Sequence, residues 1–155
     1  MNALTAEKQK FIESIGMACE QMFGFPRMAG RIWGVLLITD REHLSSDELM
    51  ELLGASRGSI STLTRMLEGV GIVKRVTVPG ERRHYFRAAD AEALIQAERA
   101  SLASFIQLMH SGLHRLGKGE RIAKSRLNEF RDFMEFISGE YEELIERWYK
   151  RRGGR

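Results

Sequence analysis

Apolar positions along the chain fall into helical runs separated by short polar, glycine or proline breaks. Over residues 3–22, Leu4, Phe11, Ile15, Ala18 and Met22 recur at spacings of three, four and seven, which predicts an amphipathic helix. Gly24-Phe25-Pro26 ends it, because the residue before a proline avoids helical geometry. Residues 27–39 predict a buried helix with Met28, Ile32, Val35, Leu36 and Leu37 inward, and Asp40 to His43 form a connection. Ser45 and Glu48 have capping-box spacing. Leu49, Leu52 and Leu53 make the short helix after them amphipathic, and Gly54 closes it. Ser56 then caps a helix from about 57 to 70, with Ile60, Leu63, Leu67 and Val70 on one face. Two short helices joined by a glycine-containing turn predict a helix-turn-helix.

Gly71 stops the second of these helices. The β-branched run Ile72 to Val78, the turn Pro79-Gly80 and the run His84 to Ala88 predict a hairpin, with either Lys74 or Arg75 on its solvent side. A helix-turn-helix followed by a hairpin is a winged helix. Asp90 caps a long helix to about Leu116, and Gly117 and Gly119 break it. A last helix from about Glu120 to Tyr149 carries Ala123, Leu127, Phe130, Met134, Ile137, Tyr141, Leu144 and Trp148 at alternating spacings of four and three, a heptad seam. Ile122, Phe133, Phe136 and Ile145 widen the seam, and Gly139 is a place where the helix can bend. So much apolar surface on a terminal helix calls for a partner, best a second subunit. The predicted fold class is mainly α with a small β-hairpin: a winged helix-turn-helix with flanking dimerisation helices. The expected domains are 1–25 (N-terminal dimerisation helix), 26–89 (winged helix-turn-helix), 90–149 (C-terminal dimerisation helices) and a basic tail, 150–155.

Charge sharpens this picture. The chain has 155 residues and a net charge of only +3, but residues 56–87 hold seven basic residues against two acidic ones. The segments on either side are acidic, and Lys150, Arg151, Arg152 and Arg155 make the tail basic. A local basic field suits a polyanion. On the 57–70 helix, the face opposite the apolar one carries Gly58, Ser61, Thr62, Arg65 and Glu68, with Arg57 at its edge and Ser59 nearer the inner face. Small residues let a helix enter the major groove, and Ser, Thr and Arg offer hydrogen bonds to base edges and phosphates. The hairpin tip, Pro79 to Arg83, is basic as well.

Other chemistries find little support. A single cysteine, Cys19, excludes an internal disulfide and a multi-cysteine zinc site. No apolar stretch approaches a membrane span and no signal peptide is visible, so a cytoplasmic protein without membrane partner is expected. No Ser-His-Asp logic, phosphate-binding glycine loop or distinctive carboxylate pair marks an enzyme. His110 and His114, four apart on one helix, have metal-pair spacing but no evident third ligand, so no metal site is assigned.

The stretches "RMAGRIWGVLL", "LSSDELMELLGASRGSISTLTRMLEGVGIVKR" and "PGERRHYFRA" resemble MarR-type transcriptional regulators, in particular the GbsR-like branch and actinobacterial members that repress lipid and drug exporters. The resemblance is specific in the Ser-x-Gly-x-Ile-Ser helix and the Gly-x-Arg-Arg wing, and weak in the C-terminal helices. It implies a homodimer on a palindromic double-stranded DNA operator, with Arg57, Ser59, Ser61, Thr62 and Arg65 toward the major groove or its phosphates. It also implies a cap at Ser45 or Ser46 near a phosphate, and Arg82 and Arg83 toward the minor groove. Many members carry Asp-x-Arg in the wing. Here it reads Gly80-Glu81-Arg82-Arg83, so either arginine can be the one that enters the groove.

The resemblance also implies a response to small apolar or phenolic ligands, which members of the family often show. Met22, Phe23, Phe25, Met28, Trp33, Phe105 and Met109 are the candidate pocket, since methionine adapts to varied apolar ligands. Phe11, Ile15, Phe130, Met134, Ile137, Tyr141, Leu144 and Trp148 are the candidate dimer interface. The expected function is a sequence-specific DNA-binding repressor without cofactor, released by a small apolar effector. The alternatives are a winged-helix protein-interaction module and a metal-responsive regulator using His110 and His114.

Overall fold

The computed structural model describes residues 4–153. The chain divides into two units, one up to Leu94 and one from Ile95 on. In the first, α1 (Ala6–Phe23) starts at Thr5, whose hydroxyl accepts the Lys8 amide, and ends at Gly24. It packs on α2 (Arg27–Ile38) through small residues. Gly16 and Gly30 meet at the crossing. A Cβ on Gly30 would lie 2.8 Å from both the Gly16 Cα and the Cys19 Cβ, so only glycine permits this approach.

That crossing corrects the sequence reading. The inward face of α1 is Ile12, Gly16 and Cys19, with Ile15 and Ala18 half-buried, while Phe11 and Met22 are exposed. Apolar spacing alone favoured the larger residues; close helix approach selects the smaller ones. In α2 the buried set is Ala29, Gly30, Ile32, Gly34, Val35 and Leu36, and Leu37 is exposed. Burial of Cys19 raises its thiol pKa above the usual value.

The connection ends in β1 (Leu44–Ser45), a two-residue strand that periodicity does not show. α3 (Ser46–Leu53) opens with the expected capping box: the Glu48 amide donates to the Ser45 hydroxyl and the Glu48 carboxylate accepts the Ser45 amide (2.7 Å). Gly54, left-handed at φ 61°, supplies the turn into α4 (Arg57–Gly69), which Ser56 caps. Ile60, Leu63 and Leu67 of α4 are buried as expected. Val70 is exposed, because the helix has ended before it. β2 (Val73–Val76) and β3 (Tyr85–Ala88) are shorter than the apolar runs that predicted them, and the sheet order is β1-β3-β2, all antiparallel. Phe86, Leu44, Leu49, Ile60, Leu67, Val73 and Val35 fill the core.

The second unit contains most of α5 (Ala91–Arg115) and all of α6 (Arg121–Gly153). The Asp90 carboxylate accepts the Ala93 amide (2.8 Å), the expected cap. α6 runs through Lys150, Arg151 and Arg152, where a separate tail was expected; basic residues in a last turn suit the helix dipole. Arg155 lies outside the described residues. The two helices touch through Phe105 and Phe130 (ring centroids 5.8 Å apart) and through Arg99 and Glu142 (2.8 Å). Among the described residues neither helix buries a single side chain within this chain. Ile122 is 71% exposed and Phe136 62%.

Candidate nucleic-acid interface

The helix-turn-helix and the hairpin place the predicted residues in one unit. Arg57, Gly58, Ser61, Thr62 and Arg65 are exposed on α4, while Ser59 is half-buried beside the cap, its amide donating to the Ser56 hydroxyl. Leu63 and Thr64 turn inward, and the Thr64 hydroxyl donates to the Ile60 carbonyl (2.8 Å), a buried polar contact the sequence reading did not single out. Ser45 is buried, with its hydroxyl committed to Glu48 (2.8 Å), so at this cap the Ser46 hydroxyl is the more accessible. Ser46 also ties α3 to the hairpin: its amide and its hydroxyl donate to the His84 carbonyl. Gly80, at φ 82°, makes the turn at the hairpin tip, and Glu81 to His84 are exposed.

Ion pairs sort the basic segment. Arg75 lies across from Phe86, with its guanidinium 5.7 Å from the ring centroid, and donates twice to Glu68 (3.1 Å each). This settles the strand parity: Arg75 continues the face of buried Val73, and Lys74 takes the other side. Lys74 and Arg87 both pair with Asp90 (3.7 and 3.3 Å). The Ala93 amide and Arg87, then Lys74, hold the Asp90 carboxyl below its ordinary pKa. These three cations are therefore paired with two carboxylates of their own unit. Arg65 and Arg82 have no ion-pair partner among the described residues, and Arg57 and Arg83 share one, Asp47 (3.2 and 3.9 Å). The basic groups still open to a polyanion are those of the recognition helix and the wing tip.

Glu48 braces the start of α3. Its burial works against ionisation, but the Ser45 amide, Arg41 and the Ser45 hydroxyl outweigh it and hold the pKa below the ordinary range. Sequence spacing marks Glu48 only as a capping residue and gives Asp47 no role, since a first-turn acid carries no sign of what its carboxylate will meet.

Residues 91–151 match the family model described as MmpR5-like MarR family transcriptional regulator. The chain is 37% identical over 146 residues to the HTH-type transcriptional regulator MmpR5 of Mycobacterium tuberculosis (strain ATCC 25618 / H37Rv), spanning 93% of this chain and 88% of that protein. The chain belongs to the MarR family of transcriptional regulators. It is also similar to a solved structure described as a transcriptional regulator, with 35% identity, a TM-score of 0.81, and coverage of 93% of this chain and 99% of that one. The family match falls on the C-terminal helices, where the motif resemblance was weakest. The fold is thus a MarR winged helix, and the protein is a DNA-binding regulator and not an enzyme. No helix among the described residues is long and apolar enough to cross a membrane.

The expected pocket residues fall in both units. Phe23 and Phe25 stack at 5.5 Å, and Phe25, Met28 and Trp33 pack on the core of the first unit; Met22 is exposed. Phe105 belongs to the second unit, where with Phe130, Met134, Ile137 and Tyr141 it lines a groove of about 360 Å³, and Met109 is half-buried on the same helix. The first unit has a larger cavity, about 690 Å³, that the sequence did not suggest; Leu4, Val35, Ile38, Leu44 and Leu52 line it beside Lys8, Arg41 and Glu48. His110 faces Glu135 (3.1 Å), and no group of three metal-ligating side chains occurs among the described residues.

Proposed function

We propose that the protein is a homodimeric repressor that reads a palindromic double-stranded DNA operator and leaves it when a small apolar ligand binds. The observation that carries the DNA reading is the sorting of charge. Three of the seven basic residues of the central segment are tied to Glu68 or Asp90, whereas Arg65 and Arg82 have no ion-pair partner among the described residues and Arg57 and Arg83, which share Asp47, stay on the exposed α4 and wing surfaces. In this reading residues 26–89 form the reader. Ser61, Thr62 and Arg65 face base edges; Arg57, Ser59 and Ser46 of the Ser45–Ser46 cap lie by phosphates, the buried Ser45 only capping the helix; the wing arginines reach the minor groove.

Residues 1–25 and 90–149 supply the dimer. The support is apolar surface that the single chain leaves open on α6: Phe130, Ile137, Leu144 and Trp148, with Phe11 on α1. Met134, Tyr141 and Ile15, half-buried, complete the proposed interface. The candidate ligand residues are Met22, Phe23, Phe25, Met28 and Trp33 in the first unit and, separately, Phe105 and Met109 in the second, aromatic and methionine side chains of the kind that accept apolar molecules.

A salt titration on selected and scrambled duplexes tests the DNA reading. Arg65→Ala should cost about 1–3 kcal/mol on the selected sequence and relax one position per half-site. Arg82→Ala with Arg83→Ala should weaken both duplexes and flatten the salt slope by up to about two. A double wing variant with unchanged slope and affinity would remove the wing from the interface.

A further inference from the structure

We propose that Asp47 is a specificity-determining positioning residue, which links the first arginine of the α4 helix to a wing arginine and so biases the distance between two DNA contacts. The inference rests on the DNA-binding reading above and adds a residue to it.

Asp47 sits in the first turn of α3, outside the capping box that Ser45 and Glu48 form. Its two carboxylate oxygens go to different elements. Oδ1 accepts from Arg57 Nη2 at 3.2 Å, and Oδ2 lies 3.9 Å from Arg83 Nε. Arg57 begins α4, and Arg83 stands on the unpaired side of the hairpin, beyond the last ladder pair Val76–Tyr85. Among the described residues, the hairpin tip's hydrogen bonds to α3 are the two that Ser46 donates to the His84 carbonyl. One carboxylate therefore brings together two guanidinium groups that would otherwise repel and drift apart.

The pair is also open. The Arg57 side chain is 79% exposed and that of Arg83 63%, so each pair is weak and both cations stay available to phosphate. On DNA the carboxylate is a like charge beside the phosphates, and it lowers the binding that any duplex offers through its backbone alone. On the matching sequence, correct spacing of Arg57 and Arg83 offsets that loss. On other sequences nothing does. Asp47 thus widens the gap between operator and bulk DNA.

The test uses the full-length protein, a duplex selected from a random pool by the wild type, and a scrambled duplex of the same length. Asp47→Asn should tighten the scrambled duplex by about 3–10-fold and steepen its salt slope by about one, while the selected duplex changes less than about twofold. Asp47→Glu should restore most of the discrimination. In an Arg57→Ala, Arg83→Ala background, Asp47→Asn should leave the ratio between the two duplexes unchanged. Equal changes on both duplexes, no change on either, or a full effect in the double-arginine background would overturn the proposal. Failure of the underlying reading looks different: Arg65→Ala and the wing variant would then leave wild-type DNA affinity untouched.

Discussion

Gly30→Ala should destabilise the first unit, although alanine is the better helix former. The exchange gains about 1 kcal/mol of helix propensity. The new methyl, however, would sit 2.8 Å from the Gly16 Cα and the Cys19 Cβ, and 3.0 Å from the Ile15 carbonyl oxygen. None of these atoms is the far end of a flexible side chain, so α1 and α2 must separate. Overpacking of this kind costs typically about 1–3 kcal/mol, and three rigid neighbours place it at or above the upper end. Separation also loosens the contacts that Ile12 and Cys19 make across the crossing. The expected net loss is about 2 kcal/mol or more, which for a unit of this size lowers Tm by at least about 8–16 °C. Gly34→Ala is the matched control. Its methyl would meet the Ile12 Cα and the Ile15 Cβ at 3.4 Å, ordinary contact, so the propensity gain should leave it neutral or stabilising. Thermal unfolding at one fixed protein concentration compares the two, since association shifts Tm by mass action. A Gly30→Ala protein as stable as Gly34→Ala would refute the argument that backbone proximity fixes this crossing.

Gly58→Ala meets nothing within 4 Å and lies in α4 without left-handed geometry, so it should stabilise by up to about 1 kcal/mol while weakening DNA binding through the added methyl on the groove face; opposite signs in a melt and a gel shift check it. Ile137→Glu with Leu144→Glu changes residues that are 36% and 54% exposed in the single chain, so a monomer would barely notice, within about 0.5 kcal/mol per site, whereas a dimer should dissociate in sedimentation. The Glu48 carboxyl has a folded pKa below its unfolded value of about 4.3, so its stabilisation is full above that pH and drains as the pH falls through the depressed folded value. Asp90 acts in the same direction. Glu48→Gln should be less stable at pH 7 and show a shallower acid limb, measured by denaturant midpoints from pH 3 to 7.

Local signals determined much of this protein. The Ser45–Glu48 capping box, the Ser56 cap, the Asp90 cap and the Gly54 turn are set by groups within four residues of one another, so sequence spacing alone places them. The reader helix likewise has its buried and exposed faces written in its 3.6-residue period. Decisions between distant residues were not legible. β1 exists only because Leu44 and Ser45 meet Phe86 and Tyr85, some forty residues on. The inward face of α1 went to Ile12, Gly16 and Cys19 over Phe11 and Met22, because the partner helix offers Gly30, and a close approach rewards small side chains over large ones. The seven basic residues of the central segment look alike in a charge count. Only the folded positions of Glu68, Asp90 and Asp47 separate the cations paired with Glu68 or Asp90 from those that share Asp47 or have no ion-pair partner among the described residues, because Coulombic pairing depends on distance in space and not along the chain.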